Sequence, residues 1–178
     1  IVHEMRRKQK AREWFLMGQL YEQLGNNNNA YNAYKHVIRL NPPYQLAFNA
    51  RVGMTEVMAG GKQTQMIAKL RRMAASDNNK DYQDQIYYAI GNIYLAKKDT
   101  ANAIVAYEHG KEKATRNGIE KGVLLLKLGN LYWTKEQFGK AKGCYDVAIG
   151  LLDKERKDYQ QLADRQKILE ELVPFTDA

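Results

Sequence analysis

Apolar and small residues recur along the chain at the three- and four-residue spacing of helices that bury one face. The pattern predicts pairs of helices joined by short turns, the first at Gly25 and the second at Asn41 and Pro42. Glycine takes a left-handed helix cap without strain, and Pro42 keeps the residue before it out of the right-handed helical region. We therefore predict an all-α fold.

Six positions recur together in three copies. Gly18, Gly91 and Gly129 are each followed by alanine twelve residues later and by tyrosine sixteen residues later, with large residues at fixed offsets around them. The other members are Trp14, Met17, Tyr21, Ala30 and Tyr34 in the first copy, Tyr87, Ile90, Tyr94, Ala103 and Tyr107 in the second, and Leu125, Leu128, Tyr132, Ala141 and Tyr145 in the third. A glycine lets two antiparallel helices approach closely, and the aromatic rings fill the space beside it. The chain is thus predicted to be a repeat array.

Gly53 marks a further unit that matches the repeat pattern less well, because Gln65 and Lys69 stand where the other copies have alanine and tyrosine. We predict one domain over 1–178, with units at about 11–43, 44–79, 80–117 and 118–153. The predicted helices end near 24 and 40 in the first unit and span 44–59 and 62–75, 81–97 and 100–115, and 120–134 and 137–152 in the others. Gly60 and Gly61 break the second unit, and 76–79 is predicted to be a loop.

A last helix is predicted at about 157–173 and should end at Pro174. It either caps the open edge of the fourth unit or is the first half of a fifth unit. The predicted architecture is a right-handed α-α superhelix of about four helix pairs plus this C-terminal helix.

The sequence contains no set of residues typical of catalysis. His36 and His109 hold the same position two units apart, so they should face outward and lie far from each other. The chain has no glycine-rich phosphate loop and no inward-facing carboxylate pair, and Cys144, the single cysteine, excludes an internal disulfide and is predicted to be a small core residue. We predict that the protein is not an enzyme, and that it binds no metal, cofactor or small-molecule substrate.

The net charge of +8 raises the question of a binding partner. Basic charge together with 12 tyrosines is found in nucleic-acid-binding proteins. Most of these tyrosines occupy packing positions of the repeat pattern, and the lysines and arginines are scattered. We therefore favour a solvated charged surface over nucleic-acid binding. An acidic protein partner or an anionic membrane surface remains open. No apolar run approaches the length of a membrane span and no signal peptide is visible. The opening isoleucine suggests a fragment of a longer protein.

Stacked helix pairs curve, and the first helix of each pair lines the inner face. Residues next to the key glycine, and three or four positions away from it, should point into this groove. An amide side chain there can both donate to and accept from a peptide backbone. The predicted partner-binding residues are Phe15, Gln19, Glu22, Gln85, Tyr88, Asn92, Leu126, Asn130 and Trp133. The alternative is that some of them pack against neighbouring helices.

The repeated positions resemble those of the tetratricopeptide repeat family over residues 11–153, most weakly at 45–75. The resemblance implies a scaffold or peptide-binding module that holds a protein or peptide partner. One subtype grips acidic C-terminal carboxylates with lysine, arginine and asparagine. Phe15 and Tyr88 stand where that subtype has a lysine, which argues against it.

A narrower resemblance rests on four segments, which are 18–22, 41–44 with 48–51, 82–89 and 162–174. They look like parts of the large repeat-containing lipoproteins of Bacteroidetes bacteria, which are linked to gliding motility and to protein secretion across the outer membrane. This resemblance implies an internal fragment of a periplasmic, outer-membrane-associated lipoprotein, attached to the membrane only through a lipid anchor upstream of this chain. The expected function is a non-catalytic assembly scaffold. Two alternatives are a co-chaperone-type adaptor for short peptides and a basic nucleic-acid-binding module.

Overall fold

A computed structural model of the protein describes residues 1–57 and 63–176. In this described part all regular structure is helical, which confirms the predicted all-α superhelical fold. The helices are α1 (Val2–Gln23), α2 (Asn27–Arg39), α3 (Tyr44–Glu56), α4 (Gln63–Ala74), α5 (Gln83–Ala96), α6 (Thr100–Lys113), α7 (Ile119–Thr134), α8 (Phe138–Leu151) and α9 (Tyr159–Thr176). Within the same residues, no helix has both the length and the apolar character needed to cross a bilayer.

Most helix ends lie within a few residues of the predicted positions, with two differences. The predicted loop at 76–79 is part of a 3-10 helix, Asp77–Tyr82, which leads directly into α5. Pro174 lies inside α9 rather than ending it. Since this proline is close to the last turn, it removes only one backbone hydrogen bond from the helix. The predicted break at Gly60 and Gly61 lies outside the described residues.

The turns that follow α1, α5 and α7 share one backbone geometry. Gly25, Lys98 and Glu136 occupy the same repeat position with φ values of 75°, 60° and 58°. In each turn this residue donates its N–H three residues back and the next residue donates five residues back, as in a Schellman cap. Of these three turns, only the first has glycine at the left-handed position, so the other two pay a conformational cost that a glycine would avoid.

We therefore expect Lys98→Gly and Glu136→Gly each to raise the free energy of unfolding by about 0.5–1 kcal/mol, since relief of left-handed strain exceeds the added entropy of the unfolded chain. Gly25→Ala is the matched control. A Cβ there contacts nothing within 4 Å, so any loss of stability reports backbone strain alone. Urea unfolding of the three variants measures the effect. Destabilisation by either glycine would show that side-chain contacts of Lys98 or Glu136 outweigh the strain.

Three helix pairs are held together by a tyrosine lying on a glycine. A Cβ built on Gly18 would lie 2.6 Å from Cε1 of Tyr34, and one on Gly91 would lie 2.4 Å from Cε1 of Tyr107. The third pair repeats this contact with Gly129 and Tyr145. Any residue larger than glycine would overlap the ring. Because glycine has no side chain, α1 can pack closely on α2, α5 on α6 and α7 on α8.

The odd-numbered helices form the inner layer of the superhelix. Among the described helices, α1 packs on α3, α3 on α5 and α5 on α7, whereas consecutive even-numbered helices do not pack closely on one another. A stack that is tight on one side and open on the other curves toward the tight side. We call the surface formed by α1, α3, α5, α7 and α9 the inner face.

The second unit departs from the predicted helix pair. Its helices form, but α3 packs on α2 and α5, while α4 packs on α5 and not closely on α3. Gln65 and Lys69 explain the difference, because neither side chain can be buried against a partner helix at low cost. Gly53 is covered instead by the ring of Tyr34 from the preceding unit, 2.7 Å from a Cβ built on it. Tyr34 thus lies between two glycines, and α3 joins the first unit to the rest of the core.

Candidate inner-face binding site

The structure places the nine predicted site residues at very different depths. Gln19 is exposed, and Tyr88, Asn92 and Leu126 are interior residues with 3%, 4% and 4% of their surface exposed. The half-buried members are Phe15, Glu22, Gln85, Asn130 and Trp133. The inner face therefore presents only some of the predicted residues to a partner, and the buried ones hold the others in place.

Each tyrosine that covers a glycine also reaches through to the inner face. The hydroxyl of Tyr34 donates to Glu22 Oε2 at 2.7 Å, that of Tyr107 to Asn92 Oδ1 at 2.7 Å, and that of Tyr145 to Asn130 Oδ1 at 2.6 Å. In these three units, one side chain from the outer helix thus orients one polar side chain of the inner helix. The acceptor is a carboxylate in the first unit and an amide in the third and fourth.

Further hydrogen bonds join one unit to the next. Lys127 Nζ donates to Asn92 Oδ1 at 3.0 Å, and Asn92 Nδ2 donates to Thr55 Oγ1 at 3.2 Å, so that Asn92 connects α3, α5 and α7. Arg165 Nη1 donates to Asn130 Oδ1 at 3.1 Å and thereby connects α9 to α7. These bonds form two polar clusters on the inner face, one around Asn92 and one around Asn130, and we call the two together the polar network.

Lys127 and Arg165 are equivalent residues of successive units, since each follows its asparagine by thirty-five positions. Both cations lie over an aromatic ring: Nζ of Lys127 is 4.9 Å from the ring centroid of Tyr88, and the guanidinium carbon of Arg165 is 4.8 Å from that of Trp133. The helix α9 therefore holds the position of the first helix of a fifth unit. It also covers the edge of the fourth unit through the buried Leu162 and Leu169.

Charge is unevenly distributed along the inner face. Glu22 and Glu56 lie on α1 and α3, and Lys127 and Arg165 lie on α7 and α9. Among the described residues, no carboxylate lies within ion-pair distance of Lys127 or Arg165. Of these four side chains, the two carboxylates lie toward the N-terminal end of the face and the two cations toward its C-terminal end, and they do not neutralise one another by direct contact.

The surroundings of Glu56 raise the pKa of its carboxyl, and those of Lys127 lower the pKa of its amine. Although part of Glu56 reaches solvent, desolvation by the protein around it raises the pKa of its carboxyl, an effect that Lys127 opposes and Glu22 strengthens. Tyr88 donates a hydrogen bond to this carboxylate at 3.2 Å. Burial lowers the pKa of the Lys127 amine, against the attraction of Glu56 and Glu22. A bound partner with complementary charges would relieve both desolvation costs.

Glu56, Lys127 and Arg165 are functional candidates that sequence reasoning missed. Glu56 holds the repeat position that is tyrosine in the other units, Lys127 lies two residues before its key glycine, and Arg165 lies in a helix without one. One signal was available for Lys127, which is the single charged residue in the apolar run from Val123 to Trp133. A lone cation in such a run indicates a polar partner inside the fold.

The histidine and cysteine side chains that could serve catalysis or metal binding are packed against other residues. The ring of His36 lies 4.3 Å from that of Trp14, and the equivalent His109 lies 5.3 Å from Tyr87. Burial raises the pKa of the Cys144 thiol to about 11, which disfavours the reactive thiolate. In the part of the chain that is described, no three histidine, cysteine, aspartate or glutamate residues converge as metal ligands.

Residues 4–44 and 84–112 match the sequence model of the tetratricopeptide repeat, so these two segments are similar to repeats of this type. The matched segments cover the first unit and most of the third. A comparison with curated proteins gave no significant match. Among solved structures, the chain is similar to the crystal structure of MamA protein, with 17% sequence identity and a TM-score of 0.46 over 94% of this chain and 88% of that chain.

Proposed function

We propose that this chain is a non-catalytic scaffold that binds a partner protein on its inner face. The observation that carries the proposal is the polar network that joins α3, α5, α7 and α9 through Asn92 and Asn130. The network fixes charged and aromatic side chains before any partner arrives. Groups that are already ordered lose less conformational entropy on binding, so such a face suits recognition of another chain.

The exposed and half-buried residues of the network are the candidate contacts. Gln19 offers an amide at the N-terminal end, and Trp133 with Arg165 offers an aromatic and cationic surface at the C-terminal end. Aromatic and arginine side chains contribute most of the binding energy in many protein interfaces. The tetratricopeptide match supports this reading, since repeats of this type bind proteins or peptides.

We further propose that the scaffold serves cell-envelope assembly. In this proposal the chain is part of a larger periplasmic, outer-membrane-associated lipoprotein that assists secretion or motility. The match to the tetratricopeptide model supports only the presence of repeats in such a protein. The lipid anchor, the compartment and the process rest on the resemblance of the four segments named above.

Site-specific photo-crosslinking tests the binding face. A benzoylphenylalanine at Gln19, on the inner face, should capture a protein from an envelope extract of the source cell. The same group at Val105, an exposed apolar residue of the outer helix α6, is the matched control and should capture little. The Gln19 product should still form when the crosslinking is done at high salt, because binding by burial of apolar and aromatic surface is not screened by ions.

The outcomes separate the parts of the proposal. Equal products from both positions would contradict the inner face as the binding site. Capture of nucleic acid alone, lost at high salt, would replace the scaffold with a basic nucleic-acid-binding module. Mass spectrometry of a Gln19-specific product would contradict the envelope assignment if it identified only cytosolic proteins.

A further inference from the structure

A cleft remains open between α3 and α4, because the second unit does not close into a tight helix pair. Its volume is about 260 Å³, and its walls come from α2, α3 and α4. We call it the open cleft and define it by Tyr31, Arg51, Met54, Met66, Lys69 and Met73. Thr55 also lines it and accepts a hydrogen bond from Asn92, so the open cleft adjoins the polar network of the inner face.

The apolar lining of the open cleft is unusually adaptable. Met54, Met66 and Met73 come from two helices and meet around the cavity, with Leu70 at its base. Methionine side chains are flexible and polarizable, and surfaces rich in methionine accept differently shaped apolar groups. The lining thus favours an inserted apolar side chain.

The charged residues of the open cleft carry a single sign. Arg51 and Lys69 line it, and no aspartate or glutamate does so among the described residues. Neither cation has a carboxylate within ion-pair distance in the described part of the chain. Desolvation lowers the pKa of Lys69, and the nearby charges of Arg51 and Arg72 lower it further. Arg51 and Lys69 repel each other at an apolar opening, Arg72 nearby adds to the repulsion on Lys69, and an anionic partner would stabilise these charges.

The size of the open cleft selects between kinds of anionic ligand. A volume of about 260 Å³ is below the range of roughly 300–1,000 Å³ typical of small-molecule pockets. It suits one large side chain better than a whole cofactor or a lipid acyl chain. Acidic residues next to that side chain in sequence would meet Arg51 and Lys69 at the rim.

We propose that the open cleft is a second docking site, which takes a protein segment with one large apolar side chain flanked by acidic residues. The proposal rests on the scaffold function proposed above, but it concerns the cleft between α3 and α4 and not the inner-face contacts proposed there. Binding in the cleft needs none of Gln19, Trp133 and Arg165. It assigns a role to the unit that fits the repeat pattern least well.

Methionine-methyl NMR of the whole chain tests the proposal. The probe is an acetylated, amidated peptide Ser-Asp-Glu-Phe-Asp-Glu-Ser. It should shift the methyl signals of Met54, Met66 and Met73 saturably and leave those of Met5 and Met17, in α1, unchanged. Replacing the phenylalanine by glycine, or the acidic residues by lysines, should abolish the shifts.

Charge variants separate local recognition from attraction to the overall charge of +8. Arg51→Gln with Lys69→Gln should weaken peptide binding about tenfold, since two partly desolvated ion pairs are lost. Lys154→Gln with Lys157→Gln, at exposed positions before α9, removes the same charge and should leave the affinity unchanged.

Three results would overturn the proposal. They are equal shifts with the lysine peptide, equal weakening by the two charge variants, and no shift at Met54, Met66 and Met73 with the acidic peptide. Decanoate that displaced the peptide and bound more tightly would reassign the cleft to fatty acids. Crosslinking at Gln19 is measured independently, so loss of the cleft proposal leaves the inner-face scaffold intact.

Discussion

Gly129→Leu is expected to lower the free energy of unfolding by about 3 kcal/mol, at the upper end of the cost of overpacking. A Cβ at this position would lie 2.7 Å from Cε1 of Tyr145 and 3.2 Å from the Cβ of Cys144. The ring of Tyr145 is fully buried, and its hydroxyl donates to Asn130 and accepts from Arg165, so it cannot rotate away without breaking these bonds. Thermal or urea unfolding followed by circular dichroism measures the loss.

Gly143→Leu is the matched control for this prediction. Gly143 lies on α8, the partner helix of the same pair, and a Cβ there contacts nothing within 4 Å. The substitution should stabilise the protein by roughly 0.5–1 kcal/mol, because leucine has a higher helix propensity than glycine. If Gly129→Leu left the melting temperature unchanged, the proposed repeat register would be wrong.

These glycine contacts explain why so much of the fold could be predicted from the sequence. A glycine on one helix and a tyrosine sixteen residues later meet within a single helix pair, so the pattern encodes a local contact. Three copies fixed the register, and turn residues such as Gly25 and Asp99 marked the helix ends. Asp99 caps α6 by accepting a hydrogen bond from the backbone N–H of Asn102.

The arrangement of the second unit could not be predicted in the same way. Gln65 and Lys69 showed that its pattern was poor, but not where its helices would pack instead. That outcome depends on Tyr34, which covers Gly53 from the preceding unit. A contact between units competes with one inside a unit, and the repeat pattern contains no information on which of the two is stronger.

The candidate site was predicted in position but not in depth. The sequence identified one repeat position, held by Gln19, Asn92 and Asn130, as facing the inner layer. In the structure the first is exposed, the second buried and the third half-buried. The depth depends on what surrounds each amide: Asn92 is hydrogen-bonded to Thr55, Tyr107 and Lys127, whereas Asn130 is hydrogen-bonded to Tyr145 and Arg165.

Asn92→Ala is expected to destabilise the fold by about 2–4 kcal/mol. Loss of an exposed amide at the same repeat position would cost much less. The substitution would leave the hydroxyl of the fully buried Tyr107 without its acceptor. It would also deprive the Lys127 ammonium of its one neutral acceptor, at a site where desolvation already disfavours the charge. Urea unfolding at neutral pH gives the free-energy change.

Gln19→Ala is the matched control, because it removes an amide from the same repeat position at an exposed site, and its effect should stay within about 0.5 kcal/mol. A second background separates the two costs of Asn92→Ala. With Lys127→Met already present, the buried cation is gone, so Asn92→Ala should cost less than in the parent chain by about 1 kcal/mol or more. Equal costs in the two backgrounds would show that Lys127 finds another acceptor when Asn92 is lost, with Glu56 the nearest candidate by charge. In that case the attraction between Glu56 and Lys127, rather than Asn92, would join α3 to α7 on the inner face.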